Sequence, residues 1–208
     1  MSSTRALFVV DIQNELIADP DTRIPNSEQI IKATEEILKV SRSILDSYEG
    51  SNSLLPWLIV FVQHEESPSE GTMLRGSKSW ELFFPPRSNR QDEIVVAKST
   101  GDTFKSNSDL AQKLRDRNIT EIVMFGLQSE GCVEATCTGA LAAGFGVTVL
   151  SGAHSTYDSD GKTAVQIERE VEHRLSTRGA RVVPWEKEIS TWGSAEHSTV
   201  SNHGSLLR

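Results

Sequence analysis

The run Ala6-Leu-Phe-Val-Val10, ended by Asp11, is apolar without interruption. A strand with one wet face alternates apolar and polar residues, whereas a strand covered on both faces reads as a continuous apolar run. Residues 6–10 therefore predict a strand inside a parallel sheet with helices on either side. Similar short runs follow at Trp57-Leu-Ile-Val-Phe-Val62, Ile94-Val-Val-Ala97, Ile122-Val-Met-Phe125, Val147-Thr-Val-Leu150 and Arg181-Val-Val183. Helical patterns separate them. Ile30, Ile31, Ile37, Leu38, Ile44 and Leu45 recur at helical spacing between Asn26, a candidate N-cap with Gln29 three residues on, and Gly50. Further helices are expected over about Ser108 to Arg117, Cys132 to Ala143 with Gly144 as C-terminal cap, and Gly161 to Thr177. The alternation predicts an α/β fold in three layers, α/β/α, around a six-stranded, mostly parallel, doubly wound (Rossmann-like) sheet.

The 208 residues suffice for a full core, and 37% hydrophobic against 24% charged residues places the chain with ordinary globular proteins. One domain over 1–208 is expected, with its core at about residues 5–186 and a Ser-, His- and Gly-rich tail, about 193–208, loosely ordered. Against 29 Asp and Glu stand 21 Lys and Arg, a net charge of −8 with no basic block, which argues against nucleic acid or an anionic membrane as partner. A small-molecule substrate suits this chain better. The longest apolar run, residues 54–62, is broken by Pro56 and falls far short of the roughly 20 residues of a spanning helix. The run after Arg5 is too short for a secretory signal. Cys132 and Cys137 are the only cysteines and would lie on different faces of a helix, so no local disulfide is expected. These features point to a reducing compartment and a cytoplasmic protein.

In a doubly wound sheet, ligands bind beyond the carboxyl ends of the strands, where the strand order reverses. That rim collects Asp11 after the first strand, Gln63-His64-Glu65 after the second, Lys98 after the third and the turn Gly126 to Cys132 after the fourth. Cys132 falls where a strand passes through a turn into a helix, whose N-terminus would favour the thiolate. The plainer reading, a small buried residue, fits mid-helix Cys137 better. Asp11 and Lys98 each place a charge at the end of an apolar strand, which is costly unless paired or solvated. They could be a structural salt bridge. With Cys132 they also make an acid, a cation and a thiol on one rim. In that combination Lys98 can lower the thiol pKa, and Asp11 can take the thiol proton and return it to a leaving amine. Cys132 can then attack a carbonyl while the turn offers N–H donors to the oxyanion.

The segments Phe8-Val-Val-Asp11-Ile-Gln13-Asn14, Ala97-Lys98 and Gly126-Leu-Gln-Ser-Glu-Gly-Cys132-Val-Glu-Ala-Thr136 closely resemble the isochorismatase-like cysteine hydrolases. The resemblance runs in order from the first strand to about Trp185. It implies a catalytic triad of Asp11, Lys98 and Cys132, with an oxyanion hole formed by the backbone N–H groups of Gln128 and Cys132 and a non-proline cis peptide just before Gln128. It also implies a six-stranded parallel sheet and a homo-oligomer, dimer or tetramer, in which a neighbouring subunit could contribute to the site. Nicotinamidase-like members carry an Asp-x-His metal motif after the second strand. The stretch here is Gln63-His64-Glu65-Glu66, so that motif is not reproduced; His64 and Glu65 could still bind a metal, but a polar pocket wall or a rim hydrogen bond is the plainer reading, and no metal and no other cofactor is expected. Gly71-Thr-Met-Leu-Arg-Gly-Ser-Lys-Ser-Trp80-Glu-Leu and His154-Ser-Thr-Tyr157-Asp158 are similar to the non-metal members that hydrolyse small or cyclic amides, including streptothricin-hydrolase-like proteins.

The loop from Gln63 to Asp92 is expected to line the pocket, with Trp80, Phe83 and Phe84, and likewise Phe104, either as apolar walls or as ordinary packing. Gln13 could orient the catalytic carboxylate or a substrate amide, and His154 and Tyr157 could close the site from the fifth strand. Gln13, His64, Trp80 and Tyr157 are thus the substrate-binding candidates. The leading function is hydrolysis of a C–N bond in a small amide through a Cys132 thioester. The alternative is isochorismatase-type cleavage of a vinyl ether with Asp11 as general acid and no thioester. A non-catalytic binding or redox-sensing role would be favoured by a degraded triad, and all three residue types are present. No Gly-x-Gly-x-x-Gly follows the first strand and no P-loop is present, which counts against a dinucleotide oxidoreductase or a nucleotide hydrolase.

Overall fold

The computed structural model describes residues 4–48 and 57–192. The elements follow as β1 (Thr4–Val10), α1 (Asn14–Ile17), α2 (Ser27–Ser47), β2 (Trp57–His64), β3 (Glu93–Lys98), α3 (Thr103–Ser106), α4 (Leu110–Asp116), β4 (Ile119–Leu127), a π-helical turn (Ser129–Val133), α5 (Glu134–Ala142), β5 (Gly146–Ser155), α6 (Ala164–Thr177), β6 (Arg181–Pro184) and α7 (Trp185–Trp192). The six strands form one sheet in the order β3-β2-β1-β4-β5-β6, and every pairing is parallel, where a mostly parallel sheet was the expectation. From β1 the chain builds outward through β2 and β3, then returns to the other side of β1 for β4. The order therefore reverses between β1 and β4, and the carboxyl ends of those two strands flank the crevice.

The unbroken apolar character of β1 has a direct structural cause. Leu7 and Val9 face one layer, with Ile59, Phe61, Val123 and Phe125 from the neighbouring strands and Ile30, Ile37, Leu38 and Leu45 from α2. Ala6, Phe8 and Val10 face the other, against Leu114 of α4, Cys137 and Ala140 of α5, and Val171 and Leu175 of α6. Each side of the strand is dry, so no polar residue is tolerated until Asp11. The crossing of β1 and β4 is tight. Gly126 has φ +135°, and a Cβ there would lie 2.0 Å from the Val10 carbonyl oxygen.

Several boundaries differ from the sequence expectation. Asn26 does not cap α2 with its side chain; it reaches Ser155 Oγ at 3.4 Å, while Gln29 donates to the Gly152 carbonyl at 3.1 Å, so both tie α2 to β5. Gln63 and His64 complete β2 and do not open the loop. The segment after Gly131 enters α5 through the π turn, and α6 begins at Ala164 behind a Thr163–Gln166 capping box. α7 was not anticipated. Its Trp192 ring packs on Trp57 with centroids 4.6 Å apart, which covers the far end of β2. The tail from 193 onward lies outside the described residues. Among the described residues, no helix is long and apolar enough to cross a membrane.

Candidate active site

The carboxyl ends of β1, β2, β3 and β4 bring four chemistry-bearing side chains into contact. Asp11 leaves β1 with φ +52°, its N–H donating to the Val62 carbonyl at 3.0 Å. That left-handed kink costs free energy for a residue with a Cβ and turns the carboxylate inward, where it is 1% exposed. Lys98 ends β3 in register with His64 of β2. Its ammonium is fully buried and makes three contacts: Asp11 Oδ2 at 2.7 Å, Cys132 Sγ at 3.0 Å and His64 Nδ1 at 3.2 Å. Cys132 and His64 are its hydrogen-bond partners, and the Asp11 carboxylate lies against it as a buried ion pair.

The electrostatics follow from this packing. Burial works against the charge on Lys98, but Asp11 and Cys132 outweigh it and raise its pKa. His64 is lowered, by burial first and by the Lys98 charge second, so it stands as a neutral acceptor. Cys132 is pushed up to about 12 by burial and then by the Asp11 carboxylate, with Lys98 pulling the other way. This corrects the expectation of a thiolate stabilised by a helix end. The sulfur sits in the π turn two residues before α5, packed against the apolar layer beneath, and the free site holds a thiol beside a carboxylate.

The turn that carries Cys132 begins at the Leu127–Gln128 peptide, which is cis. The Gln128 carbonyl then accepts from the N–H groups of Gly131 at 3.2 Å and Val133 at 3.1 Å. Thr136, in the first turn of α5, bonds Thr103 Oγ1 at 2.9 Å and so fixes α5 against α3.

The substrate-binding candidates fare differently. His64 is half-buried beside Lys98. Gln13 is fully buried and turned away from it: Nε2 donates to the His64 and Trp80 carbonyls at 2.9 and 2.7 Å, and Oε1 accepts from the His64 N–H at 2.8 Å. Gln63 donates to the same Trp80 carbonyl at 2.9 Å. The two glutamines thus lace the 65–92 loop to the end of β2. Trp80, Phe83, Phe84 and Tyr157 pack against the apolar layer under α2, and the Tyr157 hydroxyl donates to the Thr22 carbonyl. Phe104 stacks on Phe8 with centroids 6.0 Å apart, in the opposite layer. His154 is buried beneath the π turn and does not line an opening. Ser129, which it contacts, was quoted in the sequence motif but given no role.

The isochorismatase domain matches residues 5–186 of the sequence. The chain belongs to the isochorismatase family. A streptothricin hydrolase from Streptomyces noursei is 30% identical over 154 residues, 74% of this chain and 55% of that protein, so the chain spans little more than half the length of that relative. Among solved structures, a cysteine hydrolase from Pseudomonas syringae pv. phaseolicola superposes with a TM-score of 0.75 at 20% identity, over 92% of this chain and 93% of that one. An isochorismatase-like hydrolase from Alkaliphilus metalliredigens gives 0.72 at 21%, over 91% and 99%. At such identities the structural likeness is one of fold.

Within this isochorismatase domain, ligand atoms of Asp11, His64 and Cys132 lie within 4.8 Å of one another, close enough to suggest a metal site. The Lys98 ammonium already contacts all three side chains. A divalent cation at their centre would have to sit against the buried positive charge of Lys98, which the Asp11 carboxylate neutralises. These residues do not fit a metal at that position.

Proposed function

We propose that the protein is a cysteine hydrolase that cleaves a C–N bond of a small amide through a Cys132 thioester. The observation that carries this reading is the single Lys98 ammonium held against both the Asp11 carboxylate and the Cys132 sulfur. As the Cys132 sulfur attacks the amide carbonyl carbon, its proton passes to Asp11, and negative charge develops on sulfur and then on the carbonyl oxygen. Lys98 balances the first charge. The N–H groups of Gln128 and Cys132 receive the second. Collapse of the tetrahedral intermediate breaks the C–N bond, and the Asp11 proton goes to the departing amine. Water then loses a proton to Asp11 as its oxygen adds to the thioester carbon. Collapse expels the sulfur, which recovers that proton and leaves the free acid. A thiol at rest suits the sequence, because a proton must be available for the leaving amine.

His64 would hold Lys98 in place as a neutral acceptor, and Gln13, Trp80 and Tyr157 would shape the pocket through the loops they fasten. The two unpaired cysteines suit a cytoplasmic setting, and a homo-oligomer of the family kind would supply any lid. The test is release of ammonia or amine from a panel of small primary, cyclic and carbamoyl amides. Turnover by the wild type that disappears in Cys132→Ala supports the reading. Inactivity on the panel, with cleavage of isochorismate that survives Cys132→Ala, overturns it in favour of acid-catalysed ether hydrolysis by Asp11.

A further inference from the structure

Beneath the π turn lies a second polar constellation that the proposed chemistry does not use. His154 Nδ1 sits 2.8 Å from Ser129 Oγ, and its Nε2 lies 3.3 Å from Glu172 Oε1. Ser129 is 0% and His154 1% exposed, while Glu172, on α6, reaches the edge of solvent. The order carboxylate, imidazole, hydroxyl is that of a relay, yet the hydroxyl is sealed from any substrate and cannot be a nucleophile. An imidazole in an apolar layer is costly unless its nitrogens are bonded. A leucine would fill such a space without that demand, so the arrangement calls for a purpose other than packing.

The sheet shows how the imidazole gets there. β5 pairs with β4 at Met124↔Val149 and next at Gly126↔His154, so β5 advances five residues while β4 advances two. The slack, with Gly152 at φ +79°, drops His154 beside Gly126 and directly under the turn. Ser129 opens that turn. Its own carbonyl accepts from the N–H of Glu134, and the preceding Gln128 carbonyl accepts from Gly131 and Val133. Two residues beyond His154, Thr156 Oγ1 donates to Glu130 Oε1 at 2.8 Å, so consecutive turn residues are gripped from the exit of β5.

We infer that the buried Ser129–His154 hydrogen bond, with the Glu172 carboxylate set against the far ring nitrogen, forms a relay that holds the Gln128–Cys132 turn in its working geometry, with His154 as a positioning residue for the proposed hydrolysis. The Glu172 carboxylate favours the proton on Nε2, which leaves Nδ1 as acceptor for the Ser129 hydroxyl. The hydroxyl is thereby pinned, and with it the backbone N–H groups on either side that face the developing oxyanion. Because those donors act in the transition state, loosening the turn lowers kcat and leaves substrate binding nearly intact. The inference rests on the cysteine-hydrolase reading for its kinetic consequence but not for its geometry.

The test uses the full chain, an amide the wild type hydrolyses, and Ser129→Ala, His154→Leu, His154→Asn and the Ser129→Ala/His154→Leu double variant. Ser129→Ala and His154→Leu should each lower kcat roughly tenfold to a hundredfold with KM within about twofold of wild type. His154→Asn should recover most of kcat, its Oδ1 replacing Nδ1 as acceptor, and the double variant should be no worse than either single one. Unchanged kcat in the two single variants, losses that multiply, or His154→Asn as poor as His154→Leu would overturn the relay. Nitrogen-15 NMR of the histidines gives a readout that needs no substrate. The relay predicts His154 protonated on Nε2, with an Nδ1 resonance that moves in Ser129→Ala; an Nδ1 indifferent to that change overturns it. A wild type that hydrolyses no amide counts against the proposed function alone, and the NMR result then decides the relay.

Discussion

At the scale of single residues, the site turns on a carboxylate that raises the pKa of its neighbouring thiol. Burial first and the Asp11 charge second push the Cys132 pKa up to about 12, and in the proposed reaction Asp11 is also the base. Separating these two effects gives a prediction in which two readouts move in opposite directions. Asp11→Asn should cut amide hydrolysis by at least about a hundredfold, the usual scale for loss of a general base. It should also bring the Cys132 pKa down from about 12, because the negative neighbour is gone while Lys98 remains. Iodoacetamide should therefore alkylate Cys132 faster at pH 8 in the variant than in the wild type, as followed by peptide mass. Slower alkylation would mean that Asp11 does not hold the thiol in its protonated form.

At the scale of elements, β1 and β4 approach so closely that only a residue without a Cβ fits. Gly126→Ala would place a methyl against the Val10 carbonyl and demand φ +135° of an L residue, so the two strands must separate or twist where the site is built. A loss of thermal stability is expected, with activity per folded molecule falling more than in a core variant of equal stability such as Ile37→Val, which shaves one methyl from α2 at about 0.5–1.5 kcal/mol. Equal specific activities would show that the crossing does not set the site. The elements were unequally legible in the sequence. The strands announced themselves because burial on both faces leaves no room for polar residues. The placement of Asp11, Lys98 and Cys132 on one rim followed from strand ends alone. The caps and side-chain partners did not. Asn26 and Gln29 carry a capping signature but bond to Ser155 and Gly152, more than a hundred residues away in sequence. Gln13 and Tyr157 spend their polar atoms on distant backbone groups, and His154 reaches Ser129 only through an irregularity in β5 that no local pattern announces.

At the scale of the whole molecule, the far edge of the sheet is pinned by a buried acid. Glu93 opens β3 with its side chain fully buried, accepting from Arg42 of α2 at 3.0 and 2.8 Å and from Arg87 Nε at 2.6 Å. Burial opposes its charge, but the two guanidiniums win and hold its pKa below the ordinary 4.5. A lowered folded value means that the stabilisation is present above the unfolded carboxylate pKa and is lost as pH falls through the folded one. Thermal unfolding should therefore worsen below about pH 4.5, and less steeply in Glu93→Gln. Glu93→Ala at neutral pH should cost about 3 kcal/mol, since the partly buried Arg42 loses its carboxylate partner and Arg87 is left with Asp46 alone. A Tm within a degree or so of wild type would show that α2, β3 and the loop are held together by apolar packing alone.

The central claim is the covalent intermediate, and trapping it is the most direct measurement. The protein is quenched in acid during turnover of an amide from the panel, its intact mass is recorded, and the peptide bearing Cys132 is sequenced by mass. The account predicts a gain equal to the acyl part of the substrate, located on Cys132 rather than Cys137 and absent from Cys132→Ala. Steady turnover with no adduct, persisting in Cys132→Ala, would contradict it.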